Sequence, residues 1–403
     1  MFSPVFRGAF IASARPSISI LSQLRHQSRK MTSATPNEWT NSPAEFDFRS
    51  DTVTTPSSSM LAALTTASLG DDVYNESLTT NALEARLAKM FGKPSALFVL
   101  SGTMGNQLCL RALLQQPPYS ILCDSRSHIY LDEAGATSLI SQATLTPVVP
   151  ANGLYLTLED VKKHVIISDD IHYAPTKVIS LENTIWGVIH PIEEIRRISE
   201  FAHEHGIKVH LDGARLWNAC SVTETPTLED YSELVDTVTV CVSKSLGAPV
   251  GSFVFGDEKI VKKMNHIKKL LGGGIRQAGI LTAMADVAVT EVFKKGRLSE
   301  ANYYAKMVEK AWKGVGGETT LPVDTNAVWV DLEKRGVPES VWQKVGDEMG
   351  VKLGGVRIMT HYQNSVRAIE KLEEVMQEAC RRADAGEGRH EVETLEKSYL
   401  SKQ

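Results

Sequence analysis

Apolar and polar positions follow two rhythms along this chain. Residues 81–91 (NALEARLAKMF) bring Leu83, Leu87 and Met90 to one face at helical spacing. Asn81 is the candidate cap, and Gly92 and Pro94 stand just past the end. The apolar run Ala96 to Leu100 follows and ends in Ser101-Gly102-Thr103, which opens a further helix. The pattern recurs. Residues 177–181 (KVISL) form an apolar strand ending at Glu182-Asn183. Residues 191–205 (PIEEIRRISEFAHEH) form an amphipathic helix between Pro191 and Gly206. Residues 208–211 (KVHL) end at Asp212, and 237–242 (TVTVCV) end at Ser243-Lys244, with a short strand over 252–255. Short apolar strands separated by helices predict an α/β fold with a mostly parallel sheet and helices on both faces. Ligands of such sheets bind beyond the carboxyl ends of the strands. Thr103, Asn183, Asp212 and Lys244 fall there.

After about residue 296 the texture changes. Helical stretches over 299–313, 338–349 and 364–382 surround strand-like 327–331 and 356–359, which predicts a smaller C-terminal α+β domain. The expected division is a basic extension over 1–45, a large domain over 46–295, a small domain over 296–385 and a polar tail over 386–403. From Met1 to Asn37 there is no acidic residue, while Arg7, Arg15, Arg25, Arg29 and Lys30 stand among serines. That is the composition of a mitochondrial transit peptide. A disordered tail, or an upstream extension before a start at Met31, gives a cytoplasmic protein instead.

Composition narrows the function classes. Forty-three Lys+Arg against 48 Asp+Glu leave a formal charge of -5 over 403 residues, which argues against a nucleic-acid partner. No apolar run reaches the ~18 residues of a membrane span. Five scattered cysteines without a CxxC pair fit buried thiols in a reducing compartment. There is no GxGxxG after a strand, no phosphate-binding GxxxxGK[ST], no HExxH and no GxSxG. His203-Glu204-His205 is the nearest approach to a metal site, but neighbouring helical residues do not face one another, so no metal is expected.

Lys244 differs. It follows an apolar strand directly and precedes the small-residue segment 245–252 (SLGAPVGS), where a partly desolvated amine can condense with a carbonyl. Thirty-two positions earlier stands Asp212-Gly213-Ala214-Arg215. Its carboxylate could keep a ring nitrogen protonated, and its guanidinium could clamp a carboxylate. Gly102-Thr103 offers backbone N–H groups to a phosphate at a helix start. A Schiff-base lysine, a pyridinium-partner aspartate and a phosphate cradle are what pyridoxal 5'-phosphate requires.

The segments carrying these residues resemble the low-specificity L-threonine aldolase family of fold-type-I pyridoxal-phosphate enzymes. They include DFRSDTVTTP (47–56), GDDVY (70–74), SGTMGN (101–106), SHIYLDEAGA (127–136) and DDIHYAPTKVISLENT (169–184). HLDGARLWNA (210–219), VSKSLGAPVGS (242–252), LLGGGIRQAG (270–279) and VRIMTH (356–361) follow in order. The resemblance implies that Lys244 holds the cofactor, Asp212 pairs with its ring nitrogen and His128 stacks on the ring. It implies that Gly102 and Thr103 bind the phosphate, with Arg276 reaching in from a neighbouring subunit. Ser50, Arg215 and Arg357 would hold the substrate carboxylate, and His128 or His172 would take the β-hydroxyl proton. The reaction implied is cleavage of L-threonine or L-allo-threonine to glycine and an aldehyde, in a homotetramer with active sites at dimer interfaces. A racemase (of alanine) or a β-eliminating lyase on the same scaffold is the alternative. Two departures stand out: Asn75-Glu76-Ser77-Leu78 after GDDVY, and Ile185-Trp186 where bacterial members often carry His-Asn. A tryptophan there would reshape the side-chain pocket.

Overall fold

The computed structural model describes residues 42–388, so the transit-peptide reading lies outside the described residues, as does most of the polar tail. Seven strands form the main sheet: β1 (Ser95–Val99), β2 (Ser120–Asp124), β3 (Thr144–Val148), β4 (Thr176–Glu182), β5 (Lys208–Asp212), β6 (Thr237–Cys241) and β7 (Ser252–Gly256). Their order is β1-β7-β6-β5-β4-β2-β3. β7 runs antiparallel to β1 and β6, and the other pairings are parallel. Strand residues alternate between two cores, as a two-residue period requires. Leu122 and Ile179 join the core that contains Ile195 and Ile198, while Ile121, Cys123 and Val178 pack on the opposite face with Leu110 and Ile129. Both faces are therefore covered, the arrangement the apolar runs predict.

Most expected elements are present within a residue or two. The helix Ile192–Glu204 starts directly after Pro191, whose fixed φ suits a helix start. One boundary is corrected. The helix expected from Asn81 begins a turn earlier, at Leu78 after Ser77. Ser77 is buried and paired through its hydroxyl to Thr80 Oγ1 at 2.8 Å, and Asn81 lies inside the helix with its amide on the Asn75 carbonyl. The sequence reading passed over β2 and β3. β3 carries Pro147, which its place at the sheet edge tolerates.

The helices Leu298–Gly314, Glu339–Glu348 and Val366–Asp384 surround a two-stranded antiparallel sheet, β8 (Ala327–Trp329) with β9 (Arg357–Met359). Their core is separate, built on Trp312, Trp342, Val375 and Met376. Phe48 belongs to this second core: its N–H bonds the Lys352 carbonyl and its carbonyl accepts from the Met359 N–H, both at 2.9 Å. The segment leading to Ser50 and Asp51 is thus anchored on the C-terminal part and reaches from there to the main sheet. All five cysteines are free, four of them buried. Among the described residues no helix is long and apolar enough to cross a membrane.

Candidate active site

Three carboxyl groups meet at the carboxyl edge of the sheet. Glu182 and Asp212 end neighbouring strands in register, and Glu133 lies in the segment that follows His128. Asp212 is almost fully buried and well supplied with donors: Asn106 Nδ2 bonds Oδ2 at 2.6 Å, and the Ala214 N–H bonds Oδ1 at 3.0 Å. Asn106 Nδ2 also donates to Glu133 Oε1 at 2.9 Å, so one amide joins the two carboxylates. Its carbonyl faces His210 Nε2 at 3.1 Å, while His210 Nδ1 faces Thr237 Oγ1 at 2.9 Å. Burial pushes the His210 pKa down to about 4, so the ring is neutral and donates from Nε2. Charge on Asp212 is thus stabilised by an ordered set of dipoles with no cation bonded to it.

His128 is fixed at two points. Its backbone N–H donates to Glu182 Oε2 at 2.9 Å, and Nδ1 lies 2.7 Å from Glu133 Oε1. The Glu133 hydrogen bond raises the His128 pKa against the opposing effect of burial. Nδ1 therefore carries a proton, which leaves Nε2 as the exchanging atom. Burial, followed by the neighbouring charge of Asp212, pushes Glu182 up to about 8. Glu182, beside the Asp212 carboxyl, is therefore held protonated at neutral pH. His128, Glu133 and Asp212 present atoms within 4.8 Å of one another, the spacing of a metal site. Asn106 donates to both carboxylates, Gln107 donates to Glu133, and His128 Nδ1 faces Glu133.

An anion-seeking wall faces this group. Arg215 sends Nε and Nη2 to the two oxygens of Asp51, at 2.9 and 2.5 Å. Asp51 is fully buried and accepts also from Ser245 Oγ at 2.5 Å and, at 3.5 Å, from Asn326 Nδ2. Burial works to raise its pKa, but Arg215, Ser245 and Lys244 together hold it well below the usual carboxylate range. Arg357 has no such partner. Burial and then the like charge of Arg215 lower its pKa, and its Nη2 reaches only the Arg49 carbonyl at 3.3 Å. Arg215, Arg357, His128, Glu182, Trp186 and Trp329 line one cavity.

Lys244 is half-buried on the turn after β6, where Thr54 Oγ1 bonds its carbonyl at 2.8 Å. Its charge is felt by Asp51, His128 and Glu182. Gly102 and Thr103 open the helix Gly102–Leu113, capped by Ser101 Oγ on the Met104 N–H at 3.1 Å. Their own N–H groups precede the first helical bond, from Gly105 to Ser101. A Cβ at Gly102 would lie 2.8 Å from Cys241 Sγ, so any larger residue there forces that side chain or the helix start to shift. Ser50 caps the short turn that begins at Asp51.

Two expected residues stand apart within this chain. His172 sits on a loop with its side chain 80% exposed and paired to Asp170 at 2.7 Å. Arg276 is exposed and 3.3 Å from Asp71. Neither lines the cavity. The sequence reading missed Asp51, Glu133 and Asn106 as site residues, although each lies inside a quoted motif. The signal was adjacency: Asp51 follows Ser50, Glu133 follows His128 by five, and Asn106 closes SGTMGN.

This sheet, with its polar groups at the strand ends, is the architecture of the fold-type-I pyridoxal-phosphate enzymes. The chain belongs to the beta-eliminating lyase family, which it matches over residues 47–335. It is 47% identical over 337 residues to the low-specificity L-threonine aldolase of Eremothecium gossypii, covering 83% of this chain and 88% of that one. It is 43% identical over 338 residues to the alanine racemase TOXG of Cochliobolus carbonum, covering 82% and 87%. The solved threonine aldolase of Leishmania major shares the fold, with a TM-score of 0.71 at 19% identity over 83% of this chain and 99% of that one.

Proposed function

We propose that this chain is a pyridoxal 5'-phosphate-dependent aldolase that cleaves L-threonine or L-allo-threonine to glycine and acetaldehyde. One observation carries the reading. Arg215 is paired with Asp51, whereas the neighbouring Arg357 is bonded only to the Arg49 carbonyl and feels Asp51 and Asp132 at a distance. The cavity is also lined by His128, Asp132 and Glu182, and Arg357 borders it with no ion pair among the described residues. An α-amino acid's carboxylate would give Arg357 the ion-pair partner it lacks.

The donor set fits the cofactor. It offers an amine at Lys244, a carboxyl at Asp212 bonded by Asn106 and the Ala214 N–H, an imidazole at His128 and helix-start N–H groups at Gly102 and Thr103. When bound, the cofactor supplies an electron-withdrawing ring conjugated to the substrate nitrogen. Lys244 would hold it through Nζ, and Asp212 would keep the ring nitrogen protonated, helped by Asn106. Gly102 and Thr103 hold the phosphate, with Arg276 from a second copy. Ser50, Arg215 and Arg357 orient the substrate carboxylate, which fixes the direction of the Cα–Cβ bond. His128 Nε2 takes the β-hydroxyl proton, its tautomer set by Glu133. His172, from its exposed loop, would serve the site of a neighbouring copy.

Exposed Leu69, Tyr74, Leu78 and Leu270 lie on the two segments joined by the Asp72 N–H to Arg276 carbonyl bond. Apolar side chains grouped around Arg276 support a homotetramer with shared sites, which light scattering would test. The separate cores support two domains, 46–295 and 296–385, with Phe46 and Phe48 packed in the second core and Leu298 and Tyr362 in the first.

Racemisation is the second reading, favoured by the relative named as an alanine racemase. Purified protein incubated separately with L-threonine, L-allo-threonine and L-alanine decides: aldehyde release supports the aldolase, and D-alanine alone overturns it. Lys244→Ala should abolish both the cofactor's visible absorbance and turnover; an unchanged spectrum would remove Lys244 from its role.

A further inference from the structure

Trp186 lies in the loop after β4, where the main sheet meets the C-terminal part. Its φ is 53°, a left-handed conformation disfavoured for a side chain of this size. Three hydrogen bonds hold the loop in place from the other side. Trp329 Nε1 donates to the Trp186 carbonyl at 2.8 Å, Thr325 Oγ1 to the Gly187 carbonyl at 2.8 Å, and the Ile189 N–H to Asp324 Oδ2 at 3.1 Å. Gly187, at φ 90°, approaches so closely that a Cβ would lie 2.4 Å from Ala327 Cβ.

The joint brings four side chains into a run. The indoles of Trp186 and Trp329 stack with centroids 4.7 Å apart and planes 19° from parallel. Arg126 lies over the Trp186 ring at 5.7 Å, and Arg357 over the Trp329 ring at 5.9 Å. Arg126 is immobile: Asp124 takes two of its N–H groups at 2.8 and 3.0 Å, and the Gly153 and Leu154 carbonyls take others at 2.9 Å. Arg357 is the weakly held end, since its bond to the Arg49 carbonyl is long at 3.3 Å.

We propose that Trp186 is a positioning residue: anchored by Arg126 and stacked on Trp329, it fixes the ring against which Arg357 lies and so sets the affinity for the substrate carboxylate. This rests on the reading of Arg357 as a carboxylate ligand. Glycine is the discriminating probe, because it has the carboxylate and amine and no side chain. Holoenzyme of wild type, Trp186→Ala and Trp186→Phe would be titrated with glycine by calorimetry, with kcat and KM for L-threonine measured alongside.

Trp186→Ala should weaken glycine binding by about two- to tenfold, the worth of the aromatic stacking that steadies the Trp329 ring against Arg357. KM for threonine should rise by the same factor and kcat stay within about twofold, as for loss of uniform binding. Trp186→Phe should restore most of the affinity. Trp329→Phe, which keeps a ring and loses the Nε1 bond, should fall between and serves if the alanine variant does not fold. Unchanged glycine affinity in Trp186→Ala overturns the proposal, including the case where only the preference among side chains shifts. Wild type that binds glycine yet releases no aldehyde from threonine would refute the aldolase reading while leaving the glycine comparison to decide this one.

Discussion

Replacing Asp51 with asparagine should cost this protein both stability and its acid sensitivity. The carboxylate accepts two bonds from Arg215, one from Ser245 and one from Asn326, with no exposed surface of its own. Asn keeps the shape but turns an NH2 group toward at least one of these donors and leaves Arg215 without a counter-charge. Breaking a buried pair by removing one partner costs about 3–5 kcal/mol. The Arg215 side chain is 20% exposed, so water relieves part of that, and about 3 kcal/mol is the working figure. At about 2 °C per kcal/mol for a large domain, Tm should fall by roughly 6 °C. The sign with pH follows from linkage. The folded pKa of Asp51 is depressed, so its contribution is complete above the unfolded aspartate pKa near ~3.9 and is lost as pH falls through the lower folded value. Wild type should therefore lose this increment on acidification, and Asp51→Asn should not. Thermal unfolding at neutral pH and between about pH 5 and 3 measures both effects. In a double-mutant cycle, Asp51→Leu with Arg215→Met should be more stable than either single variant. Asp51→Asn with a wild-type Tm and an unaltered acid limb would refute the idea that this pair is a buried, ionised unit.

Glu133→Gln should lower kcat by about ten- to a hundredfold, because the group that orients His128 is gone. Glu133 is what raises the His128 pKa, so the acid limb of the pH–rate profile should move to lower pH; a limb that stays in place would separate Glu133 from the base. Gly102→Ala should weaken cofactor binding about tenfold by pressing the first helical turn off Cys241, measured by titrating apoprotein with pyridoxal phosphate. Adding Cys241→Ala should recover much of that loss, and failure to recover would place the damage elsewhere.

Periodicity and punctuation were enough to locate most of the framework. The helix Ile192–Glu204 and the strands β4, β5 and β6 lie where their apolar spacing put them, because burial on a helix or sheet face depends on local period. The start of the helix Leu78–Met90 was misread because its first turn is held by a buried hydroxyl pair, Ser77 and Thr80, and no pattern of hydrophobicity reports that. Lys244, Asp212, Gly102 and Arg215 were legible as candidates because strand ends are where this architecture collects polar groups.

Residues that act through other residues were not legible. Asp51 reaches Arg215 across 164 positions, Asn106 reaches Asp212 across 106, and Trp186 meets Trp329 across 143. One chain likewise leaves Arg276 and His172 at its surface. Local order along the chain determined the elements and the candidate groups at the strand ends. Which of those groups is charged, which tautomer His128 holds and what steadies Arg357 were decided by packing, since a pKa or a hydrogen bond depends on neighbours in space and only folding selects them.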